Sequence, residues 1–532
     1  MRPARVTICR LVLESGKTIR AAPRMSNCSK PLFDSNFITL NGPLLTLFQA
    51  AMTSRLVTLM IGLYVLGIPI AAQSQVSRIQ IKISSNVASE IDVAGEYAQG
   101  VDEISFRNSY GGILGLGDRI ESFDFVGKDG ELTTARKIAP GEFRLSGPAK
   151  SFRYSLKLAV PERKADMAHA SWLTKDMGIL MLSDLLPNLG LADTSHEPLL
   201  IDFNLPAGWS AASAIRPDQS GQYRVSQPDA AVFFVGRTVR EKVWHIESME
   251  LGFVTASQWN FADEEVIKIA GDVIKEYIKL TDFRITGRSI LMLAPFPDEV
   301  VAGHWSAETR GSTVMLMLGR NGRREDSLAR LGIAFTHEFF HLWVPNGVRL
   351  AGDYDWFFEG FTLYQALRTA LRLGYIDFNE YLNTISRVYD SYLSSPDRDE
   401  LSLIEASGRR FTGGSSLVYD KAMLLAFIYD LELRAKTGGK LSLDDIYRRL
   451  FLTRHDERQD ANEVIISLLS APEGMKQLTK SYIRESGSIE LGTVVDPYGL
   501  EMQSAGASQH LVIKERLSKE QRKLLRSLGY RN

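Results

Sequence analysis

Residues 337–341 read His-Glu-Phe-Phe-His, and this stretch constrains the fold more than any other. Positions four apart share one face only on a helix. If the segment is helical, His337 and His341 grip a single ion, and Glu338 sits one step round, beside it. The flanks agree with a helix. Asp326 to Thr336 leads in with apolar residues at helical spacing and an acidic start. No Pro or Gly interrupts 333–343, and Pro345 and Gly347 supply a stop. The chain has 8 His in 532 residues, so a chance match is roughly a one-in-a-hundred event. The plainer alternative is a buried helix whose histidines only hydrogen-bond.

A catalytic zinc takes three protein ligands and leaves one position open. Glu359 is the expected third ligand, 18 positions beyond His341 in Trp356-Phe357-Phe358-Glu359-Gly360-Phe361. A carboxylate between Phe358 and Phe361 is costly to bury alone, and a cation relieves that cost. Asp353 and Asp355 compete for the role, but they lie in a polar turn and read as solvated loop or cap residues. One Zn2+ ion is the expected cofactor, with cobalt or manganese as substitutes. The chemistry that follows is hydrolysis. Zinc acidifies a water molecule, and Glu338 takes its proton and passes it to the leaving amine. A tyrosine from a later helix would supply a further donor to the oxyanion, and Ser415 to Leu425 begins such a helix.

His337–His341, Glu359-Gly360-Phe361-Thr362 and Tyr419-x-Lys421-Ala422 together resemble the gluzincin metallopeptidases. The match is closest to the glycyl aminopeptidase family and more distant to the aminopeptidase N and leukotriene hydrolase family. The resemblance spans roughly residues 75–500. It implies His337, His341 and Glu359 as zinc ligands, Glu338 as base and Tyr419 as oxyanion donor. The family has Tyr-x-Lys-Gly where this chain has Ala422, and a core tyrosine is the other reading of Tyr419. The family also carries Gly-Gly-Leu-Glu-His on an edge strand along the substrate, before a Ser-Thr-Val run. Here Ser312-Thr313-Val314 is that run, and counting back sets Trp305-Ser306-Ala307-Glu308-Thr309 on the motif. Only Glu308 survives. In the aminopeptidase relatives the corresponding Glu helps hold the substrate's α-amine, which a carboxylate does by ion pairing. Glu308 is therefore the expected substrate contact, with an exposed strand residue as the other reading. The altered segment keeps endo- or oligopeptidase action open beside aminopeptidase action on short peptides. A non-catalytic binding protein with a structural zinc is the rival from another class. Glu338 argues against it, because a structural zinc needs no base.

Residues 52–72 run from Met-Thr-Ser-Arg through an apolar core to small residues, the pattern of a secretory signal peptide. Cleavage after Ala72 is expected rather than a retained anchor, which implies a periplasmic or secreted protein without a stable membrane span. Residues 1–51 read as a non-native extension, with disorder as the alternative. Cys9 and Cys28 both fall there, so the remainder has no disulfide, thiolate metal site or cysteine nucleophile. The formal net charge is −1, and residues 1–72 hold 8 Lys/Arg against 2 Asp/Glu, which leaves the rest acidic. With no basic stripe, nucleic acid is not an expected partner; a peptide or protein substrate is. His169, His196, His245, His455 and His510 show no ligand spacing and receive no role.

The expected fold class is α+β and multidomain. Residues 75–245 read as an N-terminal β-sandwich-like domain, because runs such as Arg78 to Ile83 alternate between apolar and polar. Residues 246–500 read as a thermolysin-like catalytic domain with a mostly helical C-terminal part. Within it, 312–318 is the edge-strand candidate, and 378–394, 415–436 and 443–453 are the clearest later helices. Residues 501–532 form a tail with a charged amphipathic segment at 515–526, read as a solvated surface helix and too short for the PDZ domain that many proteins of the resembling family carry.

Overall fold

The computed structural model describes residues 76–83, 89–127, 129–188, 198–453, 458–506 and 508–531. The extension, the signal segment, His196 and His455 lie outside the described residues.

Three sheets stack, and helices cover the last. The first has eight strands. Its main order runs Tyr223–Val225, Leu199–Asn204, Val76–Ile83, Glu90–Ser105, Glu142–Lys157, Ile120–Val126, Leu132–Thr134. In its strand Val76–Ile83, Ile79, Ile81 and Ile83 are buried while Arg78, Gln80 and Lys82 face water. That period of two gives a sheet with one wet face.

The second sheet is built from Ser210–Ala212, Val232–Gly236, Met177–Met181 and Trp172–Leu173. Both its faces are covered. Leu180, Phe233 and Val235 join the core of the first sheet, whereas Ile179, Met181, Val232 and Phe234 pack with Ile290, Met292, Met315 and Met317 of the third. The unbroken apolar run Val232-Phe233-Phe234-Val235 reflects that double burial.

The third sheet runs Arg240–Ile246, Met249–Thr255, Gly287–Pro295, Thr313–Leu318, Trp305–Arg310. Helix Asp263–Thr281 crosses over between two of its parallel strands. Leu251, Phe253, Leu291, Leu293, Val314 and Leu316 face the helical layer. The edge differs from the sequence expectation. Thr313–Leu318 lies inside and is buried at all six positions, and Trp305–Arg310 is the edge. A strand that is apolar at consecutive positions needs cover on both faces, whereas Ser306, Glu308 and Thr309 suit a border.

The helical layer holds Arg324–Glu338, Thr362–Arg372, Phe378–Leu393, Ala422–Lys436 and Leu443–Leu452 among others. The chain is thus α+β, β-rich first and mainly helical later. Two late features depart from expectation. Leu500–Ala505 and Ser508–Ile513 form a hairpin, docked where the Leu511 amide donates to Ser386 Oγ at 2.8 Å. Helix Lys519–Leu528 buries Leu525 and Leu528, so it packs against the body instead of lying free in solvent. No described helix is long and apolar enough to cross a membrane.

Candidate active site

Helix Arg324–Glu338 keeps α geometry to Glu338, and its last turn, Phe339–Leu342, tightens to 3₁₀. His341 therefore sits on the tightened turn, not on the α-helix. The two imidazoles still converge, with Nε2 atoms 3.0 Å apart. Phe339 and Phe340, fully buried, anchor the segment in the core. A backbone carbonyl only accepts, so the 3.0 Å contact of His341 Nδ1 with Val344 O puts the proton on Nδ1. That bond turns Nε2 toward His337 and Glu359, the usual arrangement for a metal-binding imidazole. Burial, then His341 and Arg410, drive the His337 pKa well below its ordinary value, which keeps that ring neutral.

Glu359 arrives on the π-turn Trp356–Phe361, a local widening often found at functional sites. Its Oε2 lies 3.8 Å from His337 Nε2 and 3.7 Å from His341 Nε2. Among the described residues this trio is the one cluster of three His, Cys, Asp or Glu groups within metal-sharing distance. A tetrahedral ion with bonds of 2.0–2.1 Å has ligand-to-ligand edges of about 3.4 Å. The three separations bracket that figure, so two imidazoles and a carboxylate fit a divalent cation. Gly360 makes the approach possible. A Cβ there would lie 2.3 Å from Ala422 Cβ and 2.6 Å from Val418 O. The turn carrying Glu359 thus packs directly on the one carrying Tyr419, Leu417–Lys421.

Glu338 is buried beside the trio. Burial pushes its carboxyl up to about 8, Glu308 and Glu359 add to the rise, and Thr309 opposes it. Thr309 Oγ1 lies 2.8 Å from both Glu338 Oε2 and the Glu338 carbonyl. The edge strand therefore fixes the orientation of the carboxyl. Burial raises the Tyr419 phenol well above its ordinary pKa, so it stays a proton donor.

The other wall is assembled from distant segments. Glu308 is largely buried, its side chain 13% exposed, which sets aside the exposed-strand reading. His169 Nδ1 contacts its Oε2, the Tyr110 hydroxyl donates to Oε1 at 2.5 Å, and Arg310 Nε donates to Oε1 at 3.3 Å. Arg310 is itself buried, donating to Ser183 Oγ at 2.8 Å and to the His169 carbonyl at 2.9 Å. Burial raises the Glu308 pKa, but His169, Arg310 and Tyr110 outweigh it and hold the carboxylate down at about 2.

His169, given no role from sequence, therefore belongs to this wall. Asp355 also departs from its reading as a solvated residue. It pairs with Arg410 Nη1 at 2.7 Å, and both side chains are under 20% exposed. Thr309, Arg310, Arg410 and Tyr110 were not foreseen either. The one local signal was Gly413-Gly414, which marks a tight turn after Arg410.

Residues 112–232 match the peptidase M61 N-terminal domain, and residues 331–421 match the M61 glycyl aminopeptidase. The second match contains His337, His341, Glu338, Glu359 and Tyr419; Glu308 falls in neither. No curated protein matches the sequence. An aminopeptidase N family protein from Idiomarina loihiensis shares the fold at a TM-score of 0.67 and 15% identity, over 80% of this chain and 79% of that one. An M1 zinc metallopeptidase from Deinococcus radiodurans aligns at a TM-score of 0.47 and 13% identity, over 79% of this chain and 95% of that one. Over these two segments the chain matches the N-terminal domain and the glycyl aminopeptidase domain of peptidase family M61, and the matches support an enzyme of the aminopeptidase type.

Proposed function

We propose that this protein is an exported zinc peptidase that removes N-terminal residues from short peptides. The observation that carries the proposal is the convergence of His337, His341 and Glu359 beside the buried Glu338. His337, His341 and Glu359 would hold one zinc ion, which would supply a Lewis acid for the scissile carbonyl and for a water molecule. Glu338 receives the proton from the attacking water and delivers it to the leaving amine. Burial raises its carboxyl to about 8, so in its ionised form it is a stronger proton acceptor than an exposed glutamate. Thr309 holds the carboxyl in line, and Tyr419 offers its hydroxyl to the developing oxyanion. Export rests on residues 52–72 and places the enzyme in the periplasm or outside the cell.

A second reading, internal cleavage without need of a free N-terminus, draws support from Glu308. Both its oxygens already have partners, and Arg310 on Oε1 repels an incoming ammonium group. The test compares one unblocked pentapeptide with its N-acetylated form, using zinc-loaded protein. Release of the first residue from the free peptide alone supports the aminopeptidase reading. Equal kcat/KM on both supports internal cleavage. Zinc-loaded protein that cuts neither form, or any peptide of a mixed library, contradicts both.

A further inference from the structure

We propose that Arg410 is a positioning residue that holds Glu359 and Tyr419 in register through a single guanidinium nitrogen. The inference rests on the zinc peptidase reading above.

The local sequence explains how Arg410 gets there. Helix Leu403–Gly408 starts at a Ser402 cap reinforced by Glu405. The chain then turns through Arg410–Gly414, where Gly413 takes φ 143° and a Cβ on Gly414 would lie 2.2 Å from Ala406 O. Two glycines therefore let the loop fold back tightly. The turn brings the guanidinium within 5.8 Å of the Phe358 ring centre and 5.3 Å of the Tyr419 ring centre, with 18% of the side chain exposed.

The guanidinium also lies 5.1 Å from the exposed Phe411 ring centre, but its hydrogen bonds all go to Asp355, Glu359 and Tyr419. Nη1 donates to Asp355 Oδ1 at 2.7 Å, Nη2 donates to Glu359 Oε1 at 2.8 Å, and the same Nη2 donates to the Tyr419 hydroxyl. Glu359 thus turns one oxygen to Arg410 and the other to the two histidines. A planar fork fixes two acceptors at defined angles, which a point charge on a flexible stem does not. Partners of this kind behind metal ligands change affinity or activity 10–100-fold when removed.

A cation so near a ligand carboxylate also repels a bound metal ion. Asp355 on the other nitrogen offsets that charge, so the Asp355–Arg410 pair is close to neutral at the metal position. Orientation is then the dominant effect of Arg410. Removing arginine and aspartate together isolates it, because net charge is unchanged.

The experiment measures zinc affinity by chelator competition, and kcat and KM on one peptide, for wild type, Asp355→Asn/Arg410→Met and Arg410→Lys. The double variant is expected to lose about 10–100-fold in zinc affinity. At saturating zinc its kcat falls at least about tenfold while KM stays within about threefold, since Tyr419 acts on the transition state and not on ground-state binding. Arg410→Lys is expected to fall between the two. Wild-type affinity and kcat in the double variant overturn the inference. If the double variant does not fold, Arg410→Lys decides: wild-type values for both quantities overturn it, and a drop in both supports it. Failure of the wild-type protein to take up zinc overturns the parent reading, and this one with it, and so is distinguishable from failure of Arg410 alone.

Discussion

The two walls of the site are built in opposite ways. The helical wall, from His337 to Lys421, is sequence-local: its ligands, base and phenol lie within 83 positions of one another. The strand wall is global. Tyr110 meets Glu308 across 198 positions, and His169 meets it across 139. Each wall carries an arginine on a carboxylate, Arg310 buried and Arg410 partly so, yet the outcomes differ. On the helical wall Arg410 takes one oxygen of Glu359 and leaves the other facing the histidines. On the strand wall His169, Tyr110 and Arg310 take both oxygens of Glu308. One carboxylate keeps an oxygen for a ligand; the other has both oxygens engaged by the protein's own side chains.

The largest effect that separates chemistry from architecture is expected at Glu338. Glu338→Gln keeps the shape and removes the proton acceptor. Its kcat is expected to drop about 10²–10⁴-fold, the range for a positioned acid–base group, with zinc content unchanged. Parallel rate and metal measurements check this. Near-wild-type rates would move the proton transfer to another residue.

Glu308 is expected to show in stability instead. Its folded-state pKa of about 2 lies below the ordinary 4.5, so the carboxylate stabilises the fold above pH 4.5, and the contribution is lost as pH falls through 2. The shift corresponds to about 3 kcal/mol. Urea unfolding of Glu308→Gln beside wild type should show a deficit of about that size at pH 7, shrinking between pH 4.5 and 2. A deficit that does not vary with pH would mean the charge is not what the three partners recognise.

A smaller effect is expected from Gly360→Ala. The added methyl meets Ala422 and the Val418 carbonyl, which forces the turns of Glu359 and Tyr419 apart. Overpacking of this kind costs about 1–3 kcal/mol. Thermal unfolding combined with zinc titration should show weaker metal binding along with the lower Tm. Loss of stability with unaltered zinc affinity would uncouple that contact from the site.

The same contrast explains what sequence reading reached. The pairing of His337 with His341 and the placing of Glu359 follow from helical spacing and from the difficulty of burying a lone carboxylate. Alternation gave the strands of the first sheet for the same local reason. Arg410, Arg310 and His169 leave no spacing signature, because their partners are set by how distant segments pack. Asp355 looked like a turn residue, since Gly352-Asp353 lies just before it and the arginine that covers it is 55 positions away. The inner position of Thr313–Leu318 was legible in principle: a run apolar on both faces does not suit an edge. The hairpin at 500–513 has weak alternation and is held in part by hydrogen bonds to Ser386 and Asp390, which no local pattern reveals.

Zinc stoichiometry tests the central claim most directly. Wild-type protein and Glu359→Gln are dialysed against the same zinc buffer, and bound metal per chain is read by atomic emission. One ion per wild-type chain and a clear deficit in the variant are predicted. Equal zinc in both proteins, or none in the wild type, would contradict the assignment of His337, His341 and Glu359 to a shared cation.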